Sequence, residues 1–394
     1  MRSLRILLIV PSLNPETGGP TISVPALGKA LVKLGHKVTL YTTTWPVYGD
    51  QDNLSVKPAE DSGYEIVTFP AQRSPLFPHL PYSPALVRAV IKDSRNFDIV
   101  HNFSLWNPVA TFSLRALRQS GITYCLSPLG MLDPVVLRRN RWKKLPWRIF
   151  WERANIEAAA LIHFTASLEE ERARGYWRLK NTIVVPHVVD LENWKSLPDR
   201  SVMETRFPKL QGKEVILFVG RINWVKNLNL LLISLASVRQ ERPGAMLVCT
   251  GPDNEGYQSV LEKQAQALGI SDHVVFTGML QGNDLKSAYA RADALALVSQ
   301  KENFGHAAAE ALACGIPVVL SSAVGVGADW PSSGAVHRVA PDPQQIASAL
   351  IQVLERSAKR GLPDPDARSL AEKFLGEFPG ARIAAAYQSL VASR

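Results

Sequence analysis

The sequence of 394 residues contains few cysteines and no long hydrophobic run. Its three cysteines, Cys125, Cys249 and Cys314, lie far apart without the spacing of metal ligands, so we predict single buried thiols in a reducing compartment. No apolar run approaches the roughly 18 residues that a membrane span requires, and the apolar segment 4–10 is short and interrupted by Arg5. We therefore interpret segment 4–10 as a strand and expect a cytoplasmic protein.

Several other sequence patterns are missing. No G-x-G-x-x-G fingerprint supports a dinucleotide-dependent dehydrogenase, and no nucleic-acid-binding motif accompanies the basic residues, so we expect no nucleic-acid partner. The chain has no evident internal repeat or low-complexity tract. Hydrophobic residues make up 46% of the chain and charged residues 20%, which is typical of a globular protein, and the length favours two domains.

Short apolar segments alternate with helical segments, which indicates parallel sheets built from βαβ units. The predicted strands fall into two series, at residues 4–10, 37–43, 64–69, 98–101, 122–126, 161–164 and 182–185, and at residues 215–219, 245–250, 273–276, 293–298 and 316–320. A Pro-punctuated polar stretch at 184–201 separates the series. We predict an α/β protein with Rossmann-like doubly wound domains at 1–195 and 196–375 and an active site in the cleft between them.

The most informative stretch is ENFGHAAAEALACGIPVVL, residues 302–320. Residues 307–313 are strong helix formers, Gly315 suits the position just past a helix end, and an apolar strand follows. Glu302 then lies at the mouth of the helix and Glu310 inside it. Free amides at a helix start favour an anion and carboxylates accept hydrogen bonds from sugar hydroxyls, so this layout suits a sugar nucleotide. An ordinary helix with two surface glutamates is the alternative.

A second stretch points to the same ligand. Residues 215–219 predict a buried strand that runs into Gly220, and Arg221 and Lys226 follow before a helix with leucines on one face. A planar guanidinium and a point-charge ammonium after a glycine turn can clamp a diphosphate and stabilise it as a leaving group. Two solvated loop cations would be the alternative. The clamp is favoured because α/β sheets bind ligands at strand ends.

With both stretches present, the chain resembles the retaining glycosyltransferases of family 4 (glycosyl transferase group 1), which have the GT-B fold. The matching segments are, in chain order, ILLIVPSLNPETGGP, DIVHNFSLW, SPLGMLDP, FVGRINWVKN, VVFTGML and ENFG with its second glutamate. The resemblance covers nearly the whole length and is strongest over residues 215–320. It implies that a last helix, within residues 376–394, crosses back onto the first domain.

The resemblance also implies roles for individual residues. Arg221 and Lys226 would bind the donor diphosphate, Glu302 would hold a hydroxyl of the transferred sugar, and Glu310 would bind the ribose. Other expected donor-binding residues in the same two loops are Gly220, Asn303, Phe304 and Gly305. The base is expected along backbone groups of Gly278, Met279 and Leu280.

Two further expectations concern the first half of the chain. Gly18 and Gly19, after the first strand, would let backbone amides approach the donor phosphate or the acceptor, although a plain tight turn is an equal alternative. His101 is the remaining candidate catalytic residue, with a structural hydrogen-bonding role as its alternative. Phe103 and Leu129 stand where the family usually has histidines, which suggests an unusual acceptor or donor sugar.

No metal and no cofactor other than the donor are expected, because a same-face displacement needs mainly a stabilised leaving phosphate. The acidic pairs Asp50/Asp52 and Asp364/Asp366 imitate the metal motif of another transferase fold, and we interpret them as solvated loops.

Positive charge is concentrated in the first half. Residues 1–195 hold 24 of the 44 Lys and Arg residues but 16 of the 35 Asp and Glu residues, a net +8 of the total +9. Segment 138–153 alternates cations with aromatics, which suits peripheral contact with an anionic membrane surface. Its cations are Arg138, Arg139, Arg141, Lys143, Lys144, Arg148 and Arg153. A solvated helix whose aromatics face the core is the alternative.

The sequence thus predicts a retaining glycosyltransferase that moves a hexose-type sugar from a nucleotide-sugar donor to a lipid-linked or polysaccharide acceptor, in surface polysaccharide or glycolipid biosynthesis. Two alternatives stay open. One is a non-catalytic nucleotide-sugar-binding subunit with a degenerate acceptor half, suggested by Phe103 and Leu129. The other is a different GT-B enzyme, such as a sugar-nucleotide epimerase or an inverting transferase.

Overall fold

The computed structural model describes residues 2–14, 17–45, 63–74, 77–138, 145–253 and 255–393. The chain divides into two compact units, Met1–Val188 together with Glu377–Arg394, and Val189–Gly376. The predicted boundary after residue 195 lies within the second unit. In the part of the chain described, no helix is long and apolar enough to cross a membrane.

The first unit contains a parallel sheet and an antiparallel hairpin. Its strands are β1 (Arg5–Ile9), β2 (Lys37–Thr43), β3 (Glu65–Phe69), β4 (Gln72–Ser74), β5 (Phe77–Tyr82), β6 (Ile99–Phe103), β7 (Tyr124–Ser127), β8 (Leu161–Phe164) and β9 (Thr182–Val184). Its helices are α1 (Pro20–Lys33), α2 (Pro84–Asp93), α3 (Pro108–Gln119), α4 (Pro134–Arg138), α5 (Arg153–Glu157) and α6 (Ser167–Arg174), with a π-helical turn at Arg148–Glu152.

The second unit repeats the parallel design. Its strands are β10 (Glu214–Val219), β11 (Ala245–Thr250), β12 (Val274–Gly278), β13 (Ala294–Leu297), β14 (Val318–Ser321) and β15 (Val336–Val339). Its helices are α7 (Leu191–Lys195), α8 (Ser201–Arg206), α9 (Leu228–Glu241), α10 (Gln258–Ala267), α11 (Gly282–Arg291), α12 (His306–Ala313), α13 (Gly325–Asp329), α14 (Pro343–Arg360) and α15 (Pro365–Leu375). The chain then enters α16 (Glu377–Ala392), which belongs to the first unit.

Both main sheets are parallel and reverse their strand order once. The first sheet has the order β3-β2-β1-β6-β7-β8-β9, and the second has the order β12-β11-β10-β13-β14-β15. The reversals lie between β1 and β6 and between β10 and β13, which are hydrogen-bonded neighbours. The predicted fold class, two Rossmann-like parallel-sheet units, is confirmed.

Strand β1 shows why an unbroken apolar run becomes the centre of a sheet. Ile6 and Leu8 enter the hydrophobic cluster that contains residues of α1 and α16, whereas Leu7 and Ile9 enter the cluster on the other face with residues of α2 and α3. A parallel strand covered by helices on both faces needs apolar residues at every position, rather than alternation.

The strands that prediction missed have weak signals. Strand β5 contains two prolines, which disfavour strand pairing, and β15 is a short edge strand of alternating polarity. One interpretation was wrong: Asp364 is fully buried rather than solvated. Its carboxylate accepts a hydrogen bond from the amide of Asp366 at 2.8 Å at the start of α15 and pairs with Arg356. Asp50 and Asp52 lie outside the described residues.

Candidate active site

The predicted donor-binding loops lie at the point where the second sheet reverses its strand order. The loop with Arg221 and Lys226 follows β10, and the loop with Glu302 follows β13, the neighbouring strand. Parallel α/β sheets bind ligands at such a point because the connections diverge there and leave a crevice beyond the strand ends. This topology explains how Lys226 and Glu302, 76 residues apart, come into contact.

Lys226 and Glu302 form a partly buried ion pair. The Lys226 ammonium donates a hydrogen bond to the Glu302 carboxylate, and the two side chains are 14% and 21% exposed. Partial burial reduces solvent screening, so this pair is stronger than a fully exposed one. Arg221, the other predicted diphosphate ligand, is exposed at the turn after β10.

Close backbone contacts join the ends of β10, β11 and β12. The Gly220 amide donates to the Thr250 carbonyl at 2.9 Å, and the Gly251 amide donates to the Gly278 carbonyl at 3.0 Å. A Cβ atom at Gly251 would lie 2.0 Å from the Gly220 carbonyl oxygen, so only glycine fits there. Gly251 was not among the predicted site residues, although a glycine directly after an apolar strand was the available signal.

Asn227 connects the two loops that are predicted to bind the donor. It adopts the left-handed conformation with φ 56° at the end of the 3₁₀ turn Trp224–Lys226. Its side-chain amide donates to the Val298 carbonyl at 3.1 Å, and its side-chain oxygen accepts from Gln300 Nε2 at 2.7 Å. Asparagine tolerates this backbone conformation and here fixes the loop that carries Lys226 against the segment that leads to Glu302.

The loop after β13 turns sharply before α12. Gly305 has φ 103°, and a Cβ atom there would lie 2.9 Å from Val324 Cγ1. Asn303 is half-buried and Phe304 is buried. His306 begins α12, and desolvation lowers its pKa to about 4 while the charge of Glu302 opposes that shift, so His306 is neutral at neutral pH.

Glu310 lies within α12 and is 6% exposed. One of its carboxylate oxygens accepts a hydrogen bond from the Tyr289 hydroxyl at 2.6 Å. Burial raises the pKa of Glu310 to about 7, and the Tyr289 hydrogen bond acts in the opposite direction. Tyr289 carried no signal in the sequence because its position in α11 looks like an ordinary core residue.

The segment predicted to face the base follows β12. Gly278 has φ 70°, Met279 is 40% exposed and Leu280 is buried. In the first unit, Gly18 has φ 96° and is exposed, and Gly19 precedes the first residue of α1. The Gly18 carbonyl accepts hydrogen bonds from the Thr21 amide and hydroxyl, as in a tight turn.

His101, the remaining candidate catalytic residue, lies in a buried hydrogen-bonded chain of side chains. It is fully buried in β6, and protein groups occupy both of its ring nitrogens. His163 must donate from Nε2 to the Val185 carbonyl at 2.7 Å, so its Nδ1 accepts from Ser127. Ser127 then accepts from His101 Nε2 at 2.8 Å, and His101 Nδ1 accepts from the Tyr387 hydroxyl at 2.5 Å.

Burial lowers the pKa of His101 well below its ordinary value and lowers the pKa of His163 to about 4. Both imidazole rings of this hydrogen-bonded chain are therefore neutral. The hydrogen-bonded chain links β6, β7 and β8 to α16, and every member is satisfied. The geometry therefore favours the structural alternative for His101.

Two turns at the carboxyl ends of β6 and β7 contain non-glycine residues in the left-handed region. Ser104 has φ 83°, Trp106 has φ 59° and Leu129 has φ 54°. Such conformations cost about 1–3 kcal/mol each and persist only where the surroundings hold them. A buried glutamate braces each turn: Glu152 accepts from the Trp106 amide at 2.9 Å, and Glu169 accepts from the next residue after Leu129, Gly130, at 2.6 Å.

Segment 138–153 is only partly described. The Arg138 side chain and residues 139–144, which include Arg139, Arg141, Lys143 and Lys144, lie outside the described residues. Trp147 and Trp151 contact each other and Phe112, so these two rings face the protein. Ile149 and Phe150 are 62% and 68% exposed.

Comparison with known proteins gives a consistent result over most of the chain. Residues 17–193 match the model of Glycosyltransferase Family 4, and residues 200–368 match that of Glycosyl transferases group 1. A D-inositol 3-phosphate glycosyltransferase of Kineococcus radiotolerans is 24% identical over 91% of this chain and 87% of its own length.

Two solved structures show the same fold. HepE of Anabaena in complex with UDP and glucose has a TM-score of 0.75 at 20% identity, covering 98% of this chain and 100% of its own. Sucrose-phosphate synthase of Thermosynechococcus elongatus has a TM-score of 0.73 at 20% identity, with 100% of both chains covered.

Proposed function

Because this chain belongs to the family 4 and group 1 glycosyltransferases, we propose that it transfers a hexose from a nucleotide-sugar donor with retention of configuration. The proposed acceptor is lipid-linked or a growing polysaccharide, in surface polysaccharide or glycolipid biosynthesis. The observation that carries the proposal is the Lys226–Glu302 ion pair beside the glycine turn of the second sheet.

Each donor group has a matching protein group in the second unit. The diphosphate would bind at the Gly220 turn, where the exposed Arg221 can form two parallel hydrogen bonds and Lys226 supplies a second positive charge. Glu302 already accepts a hydrogen bond from Lys226, so a sugar hydroxyl on Glu302 would lie directly beside the diphosphate. Glu310 would accept from the ribose hydroxyls.

The proposed reaction needs no metal. The acceptor oxygen forms a bond to the anomeric carbon on the face from which the diphosphate departs, and the bond from that carbon to the phosphate oxygen breaks. The acceptor proton moves to the departing phosphate oxygen. Arg221 and Lys226 stabilise the negative charge that develops on the diphosphate, the largest contribution that a preorganised site can make.

The first unit would supply the acceptor side. Its strained turns carry half-exposed apolar residues, Trp106, Leu129 and Met131, at the carboxyl ends of β6 and β7. Apolar side chains at this edge suit an acceptor with apolar surface better than they suit a free sugar.

The exposed residues Ile149 and Phe150 support membrane contact, because they follow a basic stretch in the sequence and exposed apolar residues of this size insert between lipid headgroups. We place this contact at the cytoplasmic face of the membrane. The basic stretch would supply attraction of about 1 kcal/mol per cation near an anionic surface.

Vesicle co-sedimentation tests this contact. The protein should sediment with vesicles of anionic lipid, be released as salt rises and ignore neutral vesicles. A double variant, Ile149→Ser with Phe150→Ser, should lose vesicle binding, whereas Phe378→Ser, which removes an equally large ring that is 54% exposed elsewhere in the first unit, should not. Equal binding by both variants would mean that this segment is not the anchor.

A second acceptor class has specific support, because the relative that matches over 91% of this chain is named for D-inositol 3-phosphate. An anionic polyol acceptor would use the positive charge of the first half without any membrane. Comparing D-inositol 3-phosphate with a lipid-linked sugar as acceptors, each with the same donor, distinguishes the two.

Donor screening tests the proposal as a whole. UDP-, GDP- and ADP-sugars are compared for thermal stabilisation, since a ligand at 100 times its Kd adds about 2.7 kcal/mol to stability. The bound donor is then incubated with acceptors in EDTA, and the product linkage is assigned by NMR. Transfer with retained configuration is expected. Inverted configuration, loss of activity in EDTA, or epimerised donor would overturn the proposed reaction.

A further inference from the structure

Glu310 is held by a residue that cannot itself touch a ligand. Tyr289 has no exposed surface, and its ring contacts Trp194 edge to face with the centroids 5.1 Å apart. Its hydroxyl donates to Glu310 Oε2 at 2.6 Å, and its only other nearby acceptor in the described structure is the Ala307 carbonyl at 3.4 Å. The phenol is therefore fixed by packing with its proton directed at the carboxylate.

The two carboxylate oxygens of Glu310 are not equivalent. Oε2 is occupied by Tyr289, whereas Oε1 accepts no hydrogen bond from the described residues. An ionised carboxylate accepts about four hydrogen bonds, so acceptor capacity remains for a ligand. In a protonated carboxyl group one oxygen carries the proton and donates, so fewer positions accept hydrogen bonds from a ligand.

We infer that Tyr289 is a positioning residue for nucleotide binding: its hydroxyl fixes one carboxylate oxygen of Glu310 and thereby orients the other to accept hydrogen bonds from the ribose hydroxyls. This inference rests on the proposed function, since it assumes that a nucleoside diphosphate binds at Glu310. It adds a residue that does not contact the ligand and was not among the predicted site residues.

The electrostatic surroundings agree with this geometry. Burial raises the pKa of Glu310 to about 7, and donation from Tyr289 is the contribution that lowers it. Cys314, the residue directly after α12, lies near the pair as a neutral thiol, since burial raises its pKa well above neutrality. Lys286 of α11 and Arg368 of α15 lie close enough to act on Cys314. Removing the Tyr289 hydroxyl would thus leave Glu310 protonated over a wider pH range.

The charge state of Glu310 determines the direction of the expected pH effect. Glu310 accepts best when ionised, so nucleotide affinity should fall as the pH decreases through about 7 in the natural protein. In Tyr289→Phe the fall should begin at a higher pH. At pH 7 the variant should bind UDP roughly tenfold more weakly, because loss of the Tyr289 hydroxyl leaves more of Glu310 protonated and frees its carboxyl group to rotate.

Calorimetric titration of the full chain between pH 5.5 and 8.5 provides the test, with UDP, GDP and ADP tried first to choose the base. The chosen diphosphate and its 2′-deoxy form are then compared in the natural protein, Tyr289→Phe and the control Tyr257→Phe, a half-buried tyrosine of the same unit. We expect Tyr289→Phe to shift the pH midpoint upward and to reduce discrimination against the 2′-deoxy form, and Tyr257→Phe to change neither.

The outcomes separate this inference from the proposed function. If the natural protein binds none of the three diphosphates, the proposed function fails and the inference falls with it. If the natural protein binds but Tyr289→Phe keeps the same pH midpoint and the same 2′-deoxy discrimination, the inference alone is wrong. Should Tyr289→Phe fail to fold, 3-fluorotyrosine at position 289, a stronger donor of the same shape, should move the midpoint downward, and an unchanged midpoint would overturn the inference.

Discussion

The carboxyl edges of the two sheets are built in different ways. In the second unit, glycines bring strand ends into close contact and leave charged side chains, Lys226 and Glu302, paired beside them. In the first unit, the corresponding turns contain Ser104, Trp106 and Leu129 in the left-handed region, with half-exposed apolar side chains. The carboxyl edge of the second sheet therefore consists of glycines and charged side chains. The carboxyl edge of the first sheet consists of turns with strained backbone conformations.

The difference fits two kinds of ligand. A UDP-, GDP- or ADP-sugar presents a diphosphate, a ribose and a base, so its site can be assembled from glycines, cations and carboxylates that are recognisable in a sequence. An acceptor varies between related enzymes, and a strained turn held by a buried carboxylate can present different side chains without a change of fold. Here Glu152 and Glu169 provide that bracing.

The largest expected effect comes from the charged edge. Lys226→Ala should lower transfer at saturating donor by roughly 10²–10³-fold, comparable to the loss of one preorganised donor to a developing charge. Folding should survive because Lys226 lies on a loop. Lys195→Ala, an exposed lysine of the same unit paired with Glu192, serves as the control. Near-normal turnover of Lys226→Ala would show that Lys226 does not stabilise the departing diphosphate.

Substitutions of Glu302 and Glu310 should have different effects on the affinity for UDP. Glu310→Ala should weaken UDP by about 10–100-fold, since it removes a charged acceptor of the ribose hydroxyls. Glu302→Ala should bind UDP at least as well as the natural protein, because the lost carboxylate touches the sugar and its removal frees Lys226 for the diphosphate. Titration calorimetry decides, and equal weakening in both variants would contradict the assigned roles.

The third prediction concerns the buried histidine chain. Tyr387→Phe should lower the free energy of unfolding by about 1–3 kcal/mol, because the buried Nδ1 of His101 loses the hydroxyl that donates to it. Tyr176→Phe, at a position that is 45% exposed, should have little effect. Urea denaturation of both variants measures the difference. Equal stability of the two variants would show that the hydrogen-bonded chain through His101 does not hold α16 in place.

The smallest expected effect concerns the strained turn at Leu129, at the carboxyl end of β7 in the first unit. Leu129→Gly should be about 1 kcal/mol more stable than Leu129→Ala, since both lose the leucine side chain beyond Cβ but only glycine, which also lacks Cβ, relieves the cost of φ 54°. This order is the reverse of the usual one at sites with negative φ. Paired thermal unfolding curves provide the measurement. A more stable alanine variant would argue that the turn is not strained.

The fold, and the position of the predicted donor-binding residues at strand ends, could be predicted from the sequence for a physical reason. Fully buried parallel strands need unbroken apolar runs. Phosphate sites need glycine and charged side chains. Both requirements can be recognised in a sequence from the residue types alone. Lys226 and Glu302 pair because each follows a strand at the point where the second sheet reverses its strand order. The sequence predicted both positions but not the ion pair.

What the sequence did not reveal depends on contacts rather than on residue type. His101 looks the same whether it transfers a proton or completes a buried hydrogen-bonded chain, and only its neighbours Tyr387 and Ser127 decide. Tyr289 and Glu152 resemble ordinary core and helix residues until their partners are known. The left-handed conformation of Leu129 is unusual for its residue type, so no pattern could have predicted it.

Amide hydrogen exchange with and without UDP tests most directly whether the two edges divide donor and acceptor between them. Bound UDP should slow exchange in residues 220–227 and 302–310 of the second unit, where the clamp and the α12 start lie. The strained turns at 104–107 and 129–133 of the first unit should be unchanged by UDP. Protection confined to those two turns, with none in the second unit, would contradict the account.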